Sequence, residues 1–361
     1  MSSVPVFVGL DYHQDAVQVC VVDGTGRTLF NRSVANELAA IERAATRYGR
    51  PRRAAIEACC GAADLAEQLS VAADVPIQLA HPGYVNRLKR SPDKTDLGDA
   101  QLLADLVRVN YLPAVWLAPR NIRELRRLVR HRCQLVRRRK DVKLRIRGVL
   151  RENRIERPAA AAWTKAWLAW LAAEAPLSAS DRWLVDDHLA ELTALTTRIA
   201  AVERRLRETV KDDPLVKQLM ALPEVGLVTA TTLRAEVGRF DRFDTGKQLS
   251  RFCGVTPRNA SSGARQADAG LIRAGNPELR CVLMELAHRL VRRFDLPWAR
   301  LAAGMLQRGK PKNVVVAAVA NRWVRWLHHE LRRDRPTAPA SAPARQEGSA
   351  PPASVAASTS G

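Results

Sequence analysis

The sequence predicts an α/β domain at the N-terminus, a basic helical middle with a coiled-coil connection, and a mainly helical C-terminal domain. Three observations carry this. Residues 4–34 hold three short apolar or alternating stretches separated by turn signals, and helical and strand patterns alternate after them. From residue 121 the apolar residues take helical spacing inside a run of cations. From residue 336 the chain is rich in Pro, Ala and Ser with almost no apolar bulk, the composition of a disordered tail (332–361).

The first strand is the apolar run 6–10, ending at Asp11. Residues 16–22 alternate as a second strand. Asp23-Gly24-Thr25-Gly26 is a hairpin signal, and a third strand follows over 27–34. A helix is expected over 38–48, a strand over 54–57, a helix over 62–72 and a strand over 76–80. A further helix starts near Thr95, which has the chemistry of an N-cap. Three meander strands followed by alternating helix and strand is the order of an RNase H-like fold.

The chain has 361 residues, enough for two domains. Lys and Arg number 58 against 37 Asp and Glu, a formal charge of +21, which points to a nucleic-acid partner. An anionic membrane is the rival partner, but no apolar run is long enough to span a bilayer, and no membrane partner is expected. The N-terminus lacks a basic segment followed by a signal core, so a cytoplasmic location is expected. Six scattered cysteines show no CxxC or Cys/His zinc spacing, and vicinal Cys59-Cys60 is expected to be buried apolar filler.

Residues 123–154 contain fourteen Lys/Arg and three acids, net +11. Like charges at i,i+4 repel, and a phosphate backbone relieves that repulsion by releasing counterions. Arg126, Arg127, Arg130, Arg137, Arg138, Arg139, Lys140, Lys143 and Arg147 are the expected nucleic-acid contacts. Leu125, Leu128, Leu135, Val142, Ile146 and Leu150 give the same helix an apolar stripe. Trp163, Trp167 and Trp170 share one helix face, where packing is expected over base stacking. Val185, Leu192, Ile199 and Leu206 repeat every seven residues, fitting either a self-associating coiled coil or packing within the chain.

The chemistry is expected at four acids: Asp11 and Glu57 at strand ends, Asp96 and Asp99 one turn apart on a helix. In the predicted sheet the first and fourth strands are neighbours, so Asp11 and Glu57 converge. Four carboxylates together repel unless cations bind, and two Mg²⁺ ions held this way activate an attacking oxygen and stabilise a leaving one on phosphorus. A second candidate site lies downstream. Leu222-Pro223-Glu224-Val225-Gly226 resembles a helix-hairpin-helix turn, with a plain helical turn as the alternative. Ser261 and Ser262 are flanked by Arg258, Arg265, Arg273 and Arg280, cations suited to stabilising the transition state of serine attack on a phosphodiester.

These motifs resemble the IS110 family of DEDD-type insertion-sequence transposases. They are Gly9-Leu10-Asp11, Ile56-Glu57-Ala58, Lys94-Thr95-Asp96-x-x-Asp99-Ala100, and Gly254-Val255-Thr256-Pro257 leading to Ser261-Ser262-Gly263. The resemblance covers the chain to about residue 330. It implies a RuvC-like domain (1–120) with Asp11, Glu57, Asp96 and Asp99 as Mg²⁺ ligands, then a basic helical segment (121–180) and a coiled coil (181–213). It also implies a C-terminal domain (214–331) with a catalytic serine, Ser262 or Ser261, that links covalently to DNA. A structured guide RNA, and a homodimer or homotetramer with composite active sites, are implied as well. Two departures stand out. Leu97-Gly98 replace the family's usual Arg-Asn, and Ile272-Arg273 replace Ser/Thr-Lys.

Three rivals use parts of the same evidence. A Holliday-junction-type nuclease would use the acids without a covalent serine. An actin-like sugar kinase would need a second phosphate hairpin, which the sequence lacks. A non-enzymatic RNA-binding protein would leave the acids idle.

Overall fold

A computed structural model of the chain describes residues 4–88, 95–156, 158–259, 268–272 and 274–333. The chain divides into two compact units between residues 202 and 203.

The first unit is built on strands β1 (Val6–Tyr12), β2 (Ala16–Asp23) and β3 (Thr28–Ala35), then α1 (Leu38–Thr46), β4 (Arg53–Glu57), α2 (Ala62–Ala72) and β5 (Ile77–Ala80). After these come α3 (Pro82–Leu88), α4 (Asp96–Arg108) and β6 (Ala114–Val115). Helices α5 (Arg120–Glu152), α6 (Lys165–Ala173) and α7 (Ala179–Thr209) follow, residues 203–209 of α7 lying past the division. The sheet order is β3-β2-β1-β4-β5-β6. The first three strands pair antiparallel, and β1-β4 and β4-β5 pair parallel. Helix α3 and the two-residue β6 were not foreseen; β6 is too short for a two-residue period to show.

Strand pleating sorts the side chains. Val6, Val8 and Leu10 of β1, with Ala54 and Ile56 of β4, enter one core with buried residues of α1 and α2. Phe7 and Ala55 enter a second core with Ala100, Leu103, Ala104 and Val107 of α4. By the same alternation Gly9, Asp11 and Glu57 belong to the α4 side. Burying each large aliphatic side chain contributes about 1.5–3 kcal/mol, so the two cores fix which face is which.

Helix α5, about 50 Å long by its residue count, is anchored at its start by Arg123. That guanidinium meets Glu67 of α2 at 2.7 Å and Asp64 at 3.6 Å. Further on, Leu135, Val142, Ile146 and Leu150 form one buried cluster with Trp167 and Leu171 of α6 and Val185, Leu192, Leu195 and Ile199 of α7. The heptad stripe of α7 therefore packs within its own chain over this stretch. Trp163 precedes α6 at φ +72° rather than sharing its face with Trp167 and Trp170, yet the rings pack together at a tilt, with Trp163 and Trp167 centroids 4.7 Å apart and Trp167 fully buried.

The second unit contains α8 (Pro214–Met220), α9 (Leu227–Val237), α10 (Gly246–Phe252), a two-stranded sheet of β7 (Pro257–Asn259) and β8 (Asp268–Leu271), then α11 (Pro277–Leu290), α12 (Pro297–Gln307) and α13 (Lys312–Arg333). Local chemistry sets its helix starts. Asp213 caps α8 and Asn276 caps α11, each followed by proline at the first helical turn. Among the described residues no helix is long and apolar enough to cross a membrane.

One expectation is overturned. Cys59 and Cys60 are exposed rather than buried. They follow the end of β4 and precede Gly61 (φ +94°), so they lie past the strand instead of inside a core.

Candidate active site

The acids gather where β1 and β4 end. Leu10 pairs with Ile56 in parallel register, so Asp11 and Glu57 are the next residues along neighbouring strands. Helix α4 delivers the other two. Thr95 caps it, its hydroxyl accepting from the Gly98 amide at 3.2 Å. Asp96 and Asp99 lie in its first turn, Asp96 half exposed and Asp99 buried. Leu97 and Gly98, the departures from the family pattern, serve this helix start: the Leu97 carbonyl accepts from Asn31 of β3 at 3.0 Å, and Gly98 supplies the capping amide. Lys94 lies outside the described residues.

Gly9 allows α4 to come this close. A Cβ on Gly9 would lie 2.0 Å from the Ala100 carbonyl oxygen and 2.5 Å from the Ala104 amide nitrogen. Both are backbone atoms of α4, so the helix lies directly on the strand.

His13 joins the acids. Two residues beyond Asp11, its Nε2 is 3.3 Å from Asp11 Oδ2 and 3.4 Å from Asp96 Oδ1. Ligand atoms of Asp11, His13 and Asp96 all fall within 4.8 Å of one another. Sequence reading missed this histidine. The available signal was its spacing of two from Asp11, which puts both on one face of an extended strand.

Asp11 Oδ2 is buried and has no hydrogen-bond partner, the His13 contact lacking hydrogen-bond geometry. Burial pushes the Asp11 carboxyl above its ordinary value; His13 opposes the shift, while Asp99 and Asp96 add to it. A buried carboxylate oxygen without a donor, facing further carboxylates, suits a hard divalent cation. The donor set thus fits a metal ion.

The basic candidates line α5. Arg127, Arg130, Arg137, Arg138 and Lys140 are exposed; Arg126 and Arg139 are partly covered. Arg127 lies 3.9 Å from Glu124 and Arg138 3.7 Å from Glu191. Lys143 and Arg147 sit over the Trp163 ring at 4.7 and 5.7 Å. Burial, then the charges of Arg139 and Arg147, pull the Lys143 amine below its usual value, so the crowding of cations is felt in the fold.

In the second unit, Ser261, Ser262, Arg265 and Arg273 lie outside the described residues. The framework around them is described. Arg258 is exposed on β7. Gly254 (φ +72°) and Gly275 touch backbone to backbone, since a Cβ on Gly275 would meet the Gly254 Cα at 2.1 Å. The Arg280 guanidinium donates to the Gly254 carbonyl at 2.9 Å and the Ile272 carbonyl at 2.8 Å. Ile272 itself is buried, so the hydroxyl usual at that place would face the core here. Asn276 caps α11 and donates to buried Glu236 at 2.8 Å. Arg280 thus clasps the two chain segments that lead to Ser261 and Ser262. Arg280→Lys keeps the charge but not the fork. It is expected to lower stability by about 1.5–3 kcal/mol, one charge-assisted bond, measured by urea unfolding.

The hairpin turn has Glu224 at φ +64°, with its carboxylate 2.8 Å from Arg293 and its carbonyl accepting from Arg289. The turn is therefore fastened to α11 and the segment after it. Gly226 begins α9 without a side-chain cap.

Comparison with known proteins agrees with these motifs. Residues 8–154 match the family profile for the DEDD transposase of IS110, and residues 216–303 match the profile described as transposase, IS116/IS110/IS902 family. A Pseudomonas aeruginosa protein named "Probable family 20 transposase" is 30% identical over 337 residues, covering 91% of this chain and 97% of the relative. The transposase for insertion sequence element IS1111A of Coxiella burnetii is 26% identical over 325 residues, 88% of each chain. That for IS1328 of Yersinia enterocolitica is 27% identical over 274 residues, 75% of this chain and 81% of the relative.

Proposed function

Because this chain belongs to the IS110 family of transposases, enzymes that act on DNA, we propose that it cuts and rejoins DNA with a divalent-metal carboxylate site and a serine. The observation that carries the metal half is the buried Asp11 carboxylate oxygen lacking a hydrogen bond, with Asp99 and Asp96 near enough for their charge to act on it. The proposed frame is RNase H-like. Its support is the central order β3-β2-β1-β4-β5, antiparallel on one side of β1 and parallel on the other.

Asp11, Glu57, Asp96 and Asp99 would hold Mg²⁺, two ions in this reading. The bound metal would supply charge neutralisation on the phosphate and a more acidic attacking oxygen. The protein side of the reaction is positional. Rigid strand ends fix Asp11 and Glu57, and the capped start of α4 fixes Asp96 and Asp99. Exposed cations on α5 would hold the polyanion.

In the serine step, the hydroxyl oxygen of Ser262 or Ser261 forms a bond to phosphorus as one DNA P–O bond breaks, releasing a hydroxyl end. The new phosphoserine ester conserves the bond energy, so rejoining needs no nucleotide. A structured guide RNA, a dimer or tetramer with composite sites, and the parsing into domains 1–120, 121–180, 181–213 and 214–331 belong to the same reading.

The test is plasmid recombination with the element's ends and flanking RNA. Wild type is expected to yield covalent protein–DNA adducts on denaturing gels. Ser261→Ala with Ser262→Ala together should yield neither adduct nor recombinant. Undiminished strand cleavage in the double variant would remove the serine step and leave a hydrolytic nuclease.

A further inference from the structure

Four carboxylates account for the metal reading so far, all oxygen donors. The geometry points to a fifth protein ligand: we propose that His13 coordinates the same cation through Nε2, giving the site a mixed nitrogen and oxygen shell. The inference rests on the metal reading above and adds a specific atom to it.

The distances support it. An octahedral ion bound at about 2.1 Å holds neighbouring ligand atoms about 3.0 Å apart. His13 Nε2 lies 3.3 Å from one oxygen of Asp11 and 3.4 Å from one of Asp96. Both separations are within a few tenths of an ångström of that spacing. It also approaches Asp11 Oδ2, the buried oxygen with no hydrogen bond.

The backbone at His13 is tied down as well. Its amide donates to the Ala16 carbonyl at 2.9 Å, and its carbonyl accepts from Asn36 Nδ2 at 3.1 Å. The first bond closes the turn from β1 into β2 and the second ties that turn to the residue after β3, so His13 leaves the strand with a fixed backbone direction. Only its side-chain torsions need adjust on binding, and outer contacts of this kind are what orient a ligand.

An imidazole changes which ion the site prefers. Mg²⁺ favours oxygen ligands, whereas nitrogen donors raise the affinity of first-row transition ions relative to it. His13 therefore biases the site toward Mn²⁺ over Mg²⁺. The competing idea is that His13 only balances the acids before metal binds and swings away afterwards.

Pulsed EPR on the full-length protein loaded with Mn²⁺ separates these. A directly bound imidazole nitrogen gives a ¹⁴N coupling. That coupling is expected in wild type and absent in His13→Ala. Loss of contacts that only support a ligand costs about 10–100-fold, so titration calorimetry with each ion should show Mn²⁺ affinity falling by more than about 100-fold in His13→Ala, and Mg²⁺ affinity falling less. His13→Asp restores an oxygen donor, so it should bind both ions without the nitrogen coupling and with the Mn²⁺ preference reduced. If Mn²⁺ binds wild type with no ¹⁴N coupling, His13 is only a counter-ion and the proposal fails while the carboxylate site stands. If Mn²⁺ does not bind wild type, or binds Asp11→Asn equally well, the underlying metal reading fails instead.

Discussion

Asp11→Asn is expected to abolish DNA strand cleavage and yet raise the melting temperature of the metal-free protein. The two effects have one origin. Asp11 is held among Asp96 and Asp99, and burial raises its carboxyl above the ordinary value despite His13. A carboxyl raised on folding stabilises the fold most below its unfolded value, and that contribution is lost as pH rises through the folded value. At neutral pH the metal-free protein therefore carries a destabilising anion, which asparagine removes at nearly the same volume. Melting curves of the two proteins should converge as pH falls toward the acid range.

Metal should reverse the order. A cation at about 100 times its dissociation constant adds about 2.7 kcal/mol, and only wild type should show that gain in a thermal-shift series. Loss of supporting contacts to a metal ligand costs about 10–100-fold, so loss of the ligand itself should cost more than about 100-fold in cleavage. A variant that cleaves normally, or whose melting temperature rises with metal as wild type does, would remove Asp11 from the site.

Gly9→Ala is expected to be nearly as damaging without touching a carboxylate. The added methyl group would sit 2.0 Å from a backbone oxygen of α4, and a helix backbone cannot yield as a flexible side chain can. Helix α4 must lift or tilt. Overpacking of this kind costs about 1–3 kcal/mol, sometimes more, and a 1 Å displacement of positioned groups costs about 100-fold in rate. Gly148→Ala is the control. It lies within α5 with open space at its Cβ, so it should stabilise by about 0.5–1 kcal/mol. Urea unfolding and cleavage rates of both variants test the contrast. Normal cleavage by Gly9→Ala would show that the seat of α4 does not set the acids.

Sequence periodicity revealed the strands of the first unit because one residue in two is buried on each face. Thr95 marked the start of α4 for a local reason: its hydroxyl meets an amide three residues on. The pairing of Asp11 with Glu57 also followed from strand order. What stayed hidden depends on distant backbone meeting backbone. The role of Gly9 needs α4 above it, and the clasp of Arg280 needs Gly254 and Gly275 together. Composition made Arg280 a candidate DNA contact, since a guanidinium can donate to backbone carbonyls as well as to phosphates. The heptads of α7 were ambiguous because a stripe of seven-residue period suits any partner helix, and here α5 and α6 cover it. Cys59 and Cys60 misled because small apolar side chains mark a core only within an element, and these follow a strand's end.

The placement of β4 beside β1, with α4 laid across both, has a consequence in time. Asp11 leaves the ribosome long before Asp99, and at about 5–20 residues per second the interval is on the order of ten seconds. Throughout that interval the nascent chain holds an incomplete set of acids. The proposed metal site would then be completed late and all at once, when α4 docks, so a chain released before that point lacks it.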